Sequence, residues 1–188
     1  MTGETVTTEF ETAQTPLTVS RTELLEDGKD ARFRALVHGL LAFSSRLEDV
    51  RQSFGSLVGL SGIQYTILIS ILHLQGSRGI GVKAIAEHLS LSGAFVTIET
   101  GKLVKLDLVR KCVNPKDRRR VLLEVTSKGR SLLNDLAPVQ REVNDVLFET
   151  LSAEEFHLLG KIIGDLVGSS EKALALADYI TGTERAAK

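Results

Sequence analysis

Between Val82 and Thr126 the chain changes its apolar period from helical to strand-like, and few folds accommodate that order. Val82, Ile85, Ala86 and Leu89 recur at i, i+3, i+4 and i+7, the apolar stripe of one short helix. Ser90-Leu91-Ser92 ends the stripe, and Ser92 can cap a second helix by accepting a free backbone N–H. That second helix is predicted to turn Val96, Thr100, Leu103 and Leu106 inward. Ala94, Phe95, Thr97, Ile98, Lys102 and Lys105 lie on its other sides. Two strand-like runs follow, Leu108 to Val113 and Val121 to Val125. Between them Asn-Pro-Lys-Asp-Arg-Arg-Arg supplies turn residues and four positive charges. The expected unit is a helix pair followed by a two-stranded ribbon with a basic tip.

Such a unit suits DNA for reasons of geometry and charge. A helix fits the major groove, where hydroxyls and amines meet base edges and phosphates. A ribbon tipped with Arg can enter the neighbouring minor groove, whose negative potential attracts guanidinium groups. From Arg78 to Arg130 there are 12 Lys+Arg against 5 Asp+Glu, whereas the remainder holds 11 against 19. A chain of net charge −1 therefore concentrates its positive charge in one module, as a phosphate-binding surface requires. A basic run alone is more often a solvated hairpin tip; the adjoining helix pair is what favours the nucleic-acid reading.

The pattern LS-x-S-x-x-x-VT from Leu89 to Thr97, then L-V-K-x-x-LV, then NPKDRRRVLLEVTSKGR resembles the winged helix-turn-helix of the MarR (multiple antibiotic resistance regulator) family. Asp117 and Arg119 match that family's Asp-x-Arg wing signature, and Thr126 to Gly129 match the Thr-x-x-Gly that opens its long dimerisation helix. The resemblance runs more loosely from about Arg32 to about Val167. It implies a mainly α fold with a small antiparallel β-wing (α+β), a winged helix-turn-helix between N- and C-terminal dimerisation helices. It further implies a homodimeric transcription regulator, a repressor, that binds a pseudo-palindromic double-stranded operator and is released by a small, often aromatic, ligand. Ser92, Ala94, Thr97, Lys102 and Lys105 would then meet the major groove and its phosphates. Lys116, Arg118, Arg119 and Arg120 would enter or flank the minor groove, with Asp117 orienting Arg119. One departure stands out: the family often has Arg directly after the recognition-helix Thr, and here that residue is Ile98. Isoleucine can touch a thymine methyl but cannot make the bidentate contact of Arg to guanine. Either the operator is read differently, or phosphate contacts and the wing carry more of the affinity.

The flanking segments are read as follows. Residues 1–30 are Thr-rich and acidic, the composition of a solvated tail. Residues 31–170 form the family-like domain, with the winged helix-turn-helix at about 61–126 and dimerisation helices at 31–54 and 127–170. Residues 171–188 are a C-terminal extension with a weaker apolar stripe. The stripe Phe33, Leu36, Val37, Leu40, Leu41, Phe43, Leu47, Val50 and Phe54 is wider than a surface helix needs, as at a subunit interface. Gly55 to Leu60 should break it, and Ser61 with Gln64 fits a capping box for the apolar helix that follows. A short strand near Ile80 should pair with the wing. After the wing, Leu132, Leu133, Leu136, Val139, Val143, Val146 and Leu147 share one helical face, with Pro138 inside it. Ser152 with Glu155 fits a second capping box, opening a helix with Phe156, Leu159, Ile162, Ile163, Leu166 and Val167 inward.

Other chemistry finds little support. GSRGIG lacks the spacing of a dinucleotide fingerprint. His38, His73, His88 and His157 lie on different helices without paired spacing, so no metal site or cofactor is expected and partly buried histidines are the plainer reading. Cys112, beside Arg110 and Lys111, would be a redox sensor if those cations lowered its pKa, and otherwise a passive strand residue. If an effector binds at the junction of the dimerisation helices and the winged lobe, His38, Arg46, Tyr65 and His73 are the candidates to hold it. No arrangement of nucleophile and base or of paired carboxylates is legible, so no catalytic residue is expected. There is no long apolar run and no secretory leader, and one cysteine suits a reducing compartment; the chain is expected to be cytoplasmic and free of membrane. Two rival readings remain, an effector-independent architectural DNA-binding protein and a winged helix used for protein–protein contact.

Overall fold

Ser61 begins the helix that organises the N-terminal part of the molecule. Its hydroxyl accepts the Gln64 N–H at 3.3 Å while the Gln64 side-chain oxygen accepts the Ser61 N–H at 3.2 Å, the expected capping box. A computed structural model gives this and the remaining geometry; it describes residues 16–113 and 121–186, with side chains followed to residue 182. The elements in chain order are α1 (Ala31–Leu57), α2 (Gly62–Leu74), β1 (Ile80–Gly81), α3 (Val82–His88), α4 (Gly93–Lys105), β2 (Val109–Val113), β3 (Val121–Val125), α5 (Ser127–Leu147) and α6 (Ala153–Ala186). This is a mainly helical fold with one small antiparallel sheet, as the sequence implies.

The chain falls into two compact units, Met1–Leu133 and Asn134–Lys188. In the first, Ile67, Leu68 and Ile71 of α2 are fully buried together with Ile85 of α3, Val96 and Leu103 of α4, and Leu123 of β3. Removing a large aliphatic side chain from water contributes about 1.5–3 kcal/mol, so these seven positions hold the lobe together. α1 meets α2 at a bend of 90°, and Phe54 packs edge-on against the buried Tyr65 ring with centroids 5.8 Å apart. Strand order is β1-β3-β2, all antiparallel, with Ile80 opposite Leu123 and Arg110 opposite Glu124. The short strand at Ile80 thus pairs with the wing as its sequence suggests.

Several helix bounds and burials differ from the sequence reading. α1 continues through Gly55 and Ser56 to Leu57, because the turn that stops it is made by Gly59, at φ +72°. α5 ends at Leu147 and passes through Pro138, and of its apolar face Leu133 and Leu136 are buried, whereas Val139 and Val146 are exposed. In the second unit the Ser152–Glu155 capping box forms as expected. α6 then runs unbroken past residue 170, where the sequence reading separates an extension. Its residues Phe156, Leu159, Ile162, Ile163, Leu166 and Val167, expected inward, are all exposed in the single chain. Leu106, also expected inward, is exposed. Among the described residues no single helix is long and apolar enough to cross a membrane.

Part of the presumed tail is also fixed. Thr18 donates both its backbone N–H and its hydroxyl to the Asp30 carboxylate at 2.7 Å, and Arg34 Nε donates to it at 3.0 Å. These donors hold the buried Asp30 carboxyl well below the usual carboxylate range, the Thr18 hydroxyl contributing most. Residues 16–30 are therefore pinned to the start of α1, and residues 1–15 lie outside the described residues.

The Thr126-to-Gly129 motif has a direct physical reason. Thr126 N–H donates to the Leu108 carbonyl at 3.0 Å, its hydroxyl donates to the Asp107 carbonyl at 2.7 Å, and Gly129 N–H donates back to that hydroxyl at 3.0 Å. A Cβ at residue 129 would overlap the Leu108 carbonyl oxygen and a Val125 methyl. Gly101, by contrast, has open space where a Cβ would stand. Gly129→Ala should therefore destabilise the chain by about 1–3 kcal/mol through overpacking. Gly101→Ala should stabilise it by roughly 0.5–1 kcal/mol through helix propensity. Urea unfolding of the two variants measures both, and equal shifts would refute the packing account.

Candidate nucleic-acid interface

α3 and α4 are joined by a tight turn. Ser90 takes φ +53° there, the Leu91 N–H donates to the Ala86 carbonyl at 2.9 Å, and Ser92 caps α4 by accepting the Phe95 N–H at 3.2 Å. The far end of α4 closes through Asp107, at φ +58°, with the Leu108 N–H donating to the Leu103 carbonyl at 3.0 Å. Fixed at both ends, α4 buries Val96, Glu99, Thr100 and Leu103. Ala94, Ile98 and Lys105 are exposed and fall, by helical spacing, on the opposite side, with exposed Thr97 at one edge and Lys102 at the other. Thr97 donates its hydroxyl proton to the Gly93 carbonyl at 2.7 Å, leaving oxygen lone pairs facing outward as acceptors. Ile98, where the resemblance would have Arg, is 59% exposed, an apolar spot in the middle of this surface.

Lys102 behaves differently from Lys105. Its ammonium donates to Glu99 at 2.7 Å, and Glu99 is a carboxylate only 5% exposed. The second Glu99 oxygen accepts from the Gln64 amide at 3.0 Å. The Lys102 bond and charge hold the Glu99 carboxyl below the usual carboxylate range despite the opposing effect of burial, with Gln64 adding to the shift. Sequence reasoning missed Glu99 altogether. Two signals point to it, since residue 99 sits between inward Val96 and Leu103 and stands three residues before a lysine.

In the sheet, Arg110 and Glu124 form a cross-strand pair, with Arg110 Nε at 3.0 Å and a terminal nitrogen at 2.6 Å from one carboxylate oxygen. Cys112 lies half-buried on the same face. Its thiol is pushed up from the ordinary range, first by burial and then by the Glu124 carboxylate, against a smaller lowering by Arg110. Of the two sequence readings this favours the passive strand residue over the redox sensor, because Arg110 is already paired to the acid that stands next to the sulfur.

Lys116, Asp117, Arg118, Arg119 and Arg120 lie outside the described residues. Of the expected effector residues, His38, Arg46 and His73 are exposed, and Arg46 donates to the Ala42 carbonyl of its own helix. Tyr65 is buried against Phe54. None of the four lines the cleft of about 540 Å³ between α1, α2 and the α3–α4 turn, whose walls include Leu47, Arg51, Gln52, Ile63, Thr66 and Leu91. All four histidines, expected partly buried, are exposed. Among the described residues no group of three His, Cys, Asp or Glu is arranged to hold a metal.

The helix pair, its capped reading helix and the three-stranded sheet define a winged helix-turn-helix, a class of DNA-binding module. No family model matches the chain. It is 30% identical over 115 residues to the uncharacterized HTH-type transcriptional regulator YhbI of Bacillus subtilis (strain 168), covering 59% of this chain and 73% of that one. It is 27% identical over 116 residues to the HTH-type transcriptional repressor NicR of Pseudomonas putida KT2440, covering 61% and 70%. The crystal structure of a mutant MarR from E. coli complexed with operator DNA superposes with a TM-score of 0.59 at 20% identity, covering 72% of this chain and 95% of that one. The chain belongs to the MarR family of HTH-type transcriptional regulators and is a DNA-binding regulator of transcription.

If Glu124 suppresses the Cys112 thiolate, Glu124→Gln should raise the iodoacetamide alkylation rate of Cys112 near neutral pH. The gain follows from a larger thiolate fraction, since the thiolate is the nucleophile. An unchanged rate would mean that burial alone controls the thiol.

Proposed function

We propose that the chain is a homodimeric repressor that binds a pseudo-palindromic operator through the outward side of α4 and through the wing. Ser92, Ala94, Thr97 and Lys105 meet the major groove and its phosphates. Lys116, Arg118, Arg119 and Arg120 reach the minor groove, and Asp117 orients Arg119 by a charge-assisted bond. Lys102, expected with the first group, stands at its flank. The observation that carries the reading is the two-sidedness of α4, whose buried side closes the core while its other side exposes small, hydroxyl and cationic groups around the apolar Ile98.

Self-association rests on a second observation. α1 leaves Leu36, Leu40, Leu41 and Phe43 exposed, and α6 leaves a longer apolar series exposed, more than a solitary soluble chain usually shows to water. Covering these faces with a second copy brings two α4 helices about 34 Å apart, one turn of duplex. The resemblance to NicR, named a repressor, supports repression as the mode of action. Release by a small ligand is part of the same reading. The cleft beside Arg51 and Thr66 has apolar walls for a ring and a guanidinium for a carboxylate, which suits an aromatic acid. The regulator works in the cytoplasm and has no catalytic role.

Selecting bound fragments from genomic DNA would yield the operator, and an anisotropy titration on it tests the assignment. Arg119→Ala should weaken binding by about 1–3 kcal/mol. Unchanged affinity would remove the wing from the interface, and a chain that sediments as a monomer at micromolar concentration would remove the two-helix geometry.

A further inference from the structure

Glu99 is a carboxylate buried on the inward side of a helix whose task is to face polyanionic DNA. A buried charge is costly unless it is paired and hydrogen-bonded, and Glu99 has both partners. Lys102 Nζ lies 2.7 Å from one oxygen and the Gln64 amide nitrogen 3.0 Å from the other. Gln64 is itself committed, since its amide oxygen accepts the Ser61 N–H that opens α2. The next backbone N–H, that of Gly62, donates to the side chain of Gln52 on α1 at 2.8 Å. A continuous polar chain thus runs from α1 through the α2 cap to the flank of α4. Lys102 is its terminal member and its only cation.

We propose that Glu99 is a positioning residue that withholds Lys102 from DNA. The Lys102 charge is spent on the buried carboxylate, and the Gln64–Glu99 bond ties α4 to α2, so that Thr97 and Lys105, not Lys102, face the duplex. The inference deepens the DNA-binding reading above and rests on it. Lys102 is then a structural cation whose loss leaves the phosphate contacts unchanged, and removing Glu99 creates a new, sequence-blind phosphate contact. Specificity falls although affinity for arbitrary DNA rises.

The test is the salt dependence of binding to a mixed-sequence duplex about three helical turns long, for the intact dimer and its variants. Each phosphate contact adds about 0.9 to the slope of log K against log salt. Lys102→Gln, which still donates to Glu99, should leave the slope as it is. Glu99→Gln, which still accepts from Gln64, should steepen it by about 1.8, one new contact from each protomer, and the double variant should return it to the starting value. A slope that flattens by about 1.8 in Lys102→Gln overturns the proposal, since Lys102 of each protomer would then already be on a phosphate. That single variant decides the matter even if Glu99→Gln does not fold. Should no form of the chain bind duplex, the DNA-binding reading fails instead, and thermal unfolding of the two single variants and the double one tests the pairing. Non-additive Tm shifts support a Glu99–Lys102 couple, and additive ones refute it.

Discussion

The backbone of Leu108 ties three elements together. Its N–H donates to the Leu103 carbonyl and closes α4, its carbonyl accepts the Thr126 N–H, and the first turn of α5 comes so near that carbonyl that only glycine fits at residue 129. Lys128 adds a bond to the Leu106 carbonyl at 2.9 Å from the same turn. Three elements therefore share a few atoms: the end of the reading helix, the start of β2 and the start of α5. A close-packed junction of this kind has no room for independent sliding, so α4 and the sheet are presented to DNA as one piece.

Charge in the module is less available than its total suggests. The surplus of Lys+Arg between Arg78 and Arg130 is real, yet Lys83, Lys102 and Arg110 each have a glutamate partner in Glu87, Glu99 and Glu124. These pairs differ in kind. Lys83–Glu87 is solvent-exposed on both sides and worth at most about 0.5 kcal/mol, so DNA can recruit Lys83 at little cost. Glu99 is almost wholly buried, and separating Lys102 from it would strand a desolvated carboxylate. The electrostatic footprint of the module is therefore smaller than the sum of its cations.

Much of this architecture is legible in the sequence, because each cue is local. The capping boxes at Ser61 and Ser152, the Ser92 cap, the strand at Ile80 and the inward positions Val96, Thr100 and Leu103 need only a few neighbouring residues to specify them. What could not be read depends on pairing at a distance. Arg110 meets Glu124 through the strand register, and the same register sets that carboxylate beside Cys112, where it opposes the effect of the adjacent cation on the thiol. Asp30 reads as one acid in an acidic tail, yet Thr18, twelve residues earlier, folds back on it. Tyr65 has the polarity of a ligand residue and the place of a core residue, since the ring of Phe54 claims it. Periodicity also says which residues share a helical face without saying what covers that face. This is why the α6 stripe, expected inward, stands exposed in a single chain.

That last ambiguity bears on how affinity is composed. In the proposed dimer two different forces act in series: apolar burial along α1 and α6 assembles the pair, and cations on α4 and the wing bind phosphate. The first is nearly indifferent to salt and the second is governed by it. Dimer assembly sets the spacing of the two α4 helices and so decides which duplexes fit, while phosphate contacts decide how tightly any duplex is held. A residue such as Ile98, exposed and unable to make a bidentate base contact, adds little to the second force. Discrimination must then come from geometry: the rotation of α4 on α2, the separation of its two copies and the minor-groove shape met by the wing. On the proposed reading the hydrophobic helices and the buried Glu99 would determine specificity as much as any residue that touches a base.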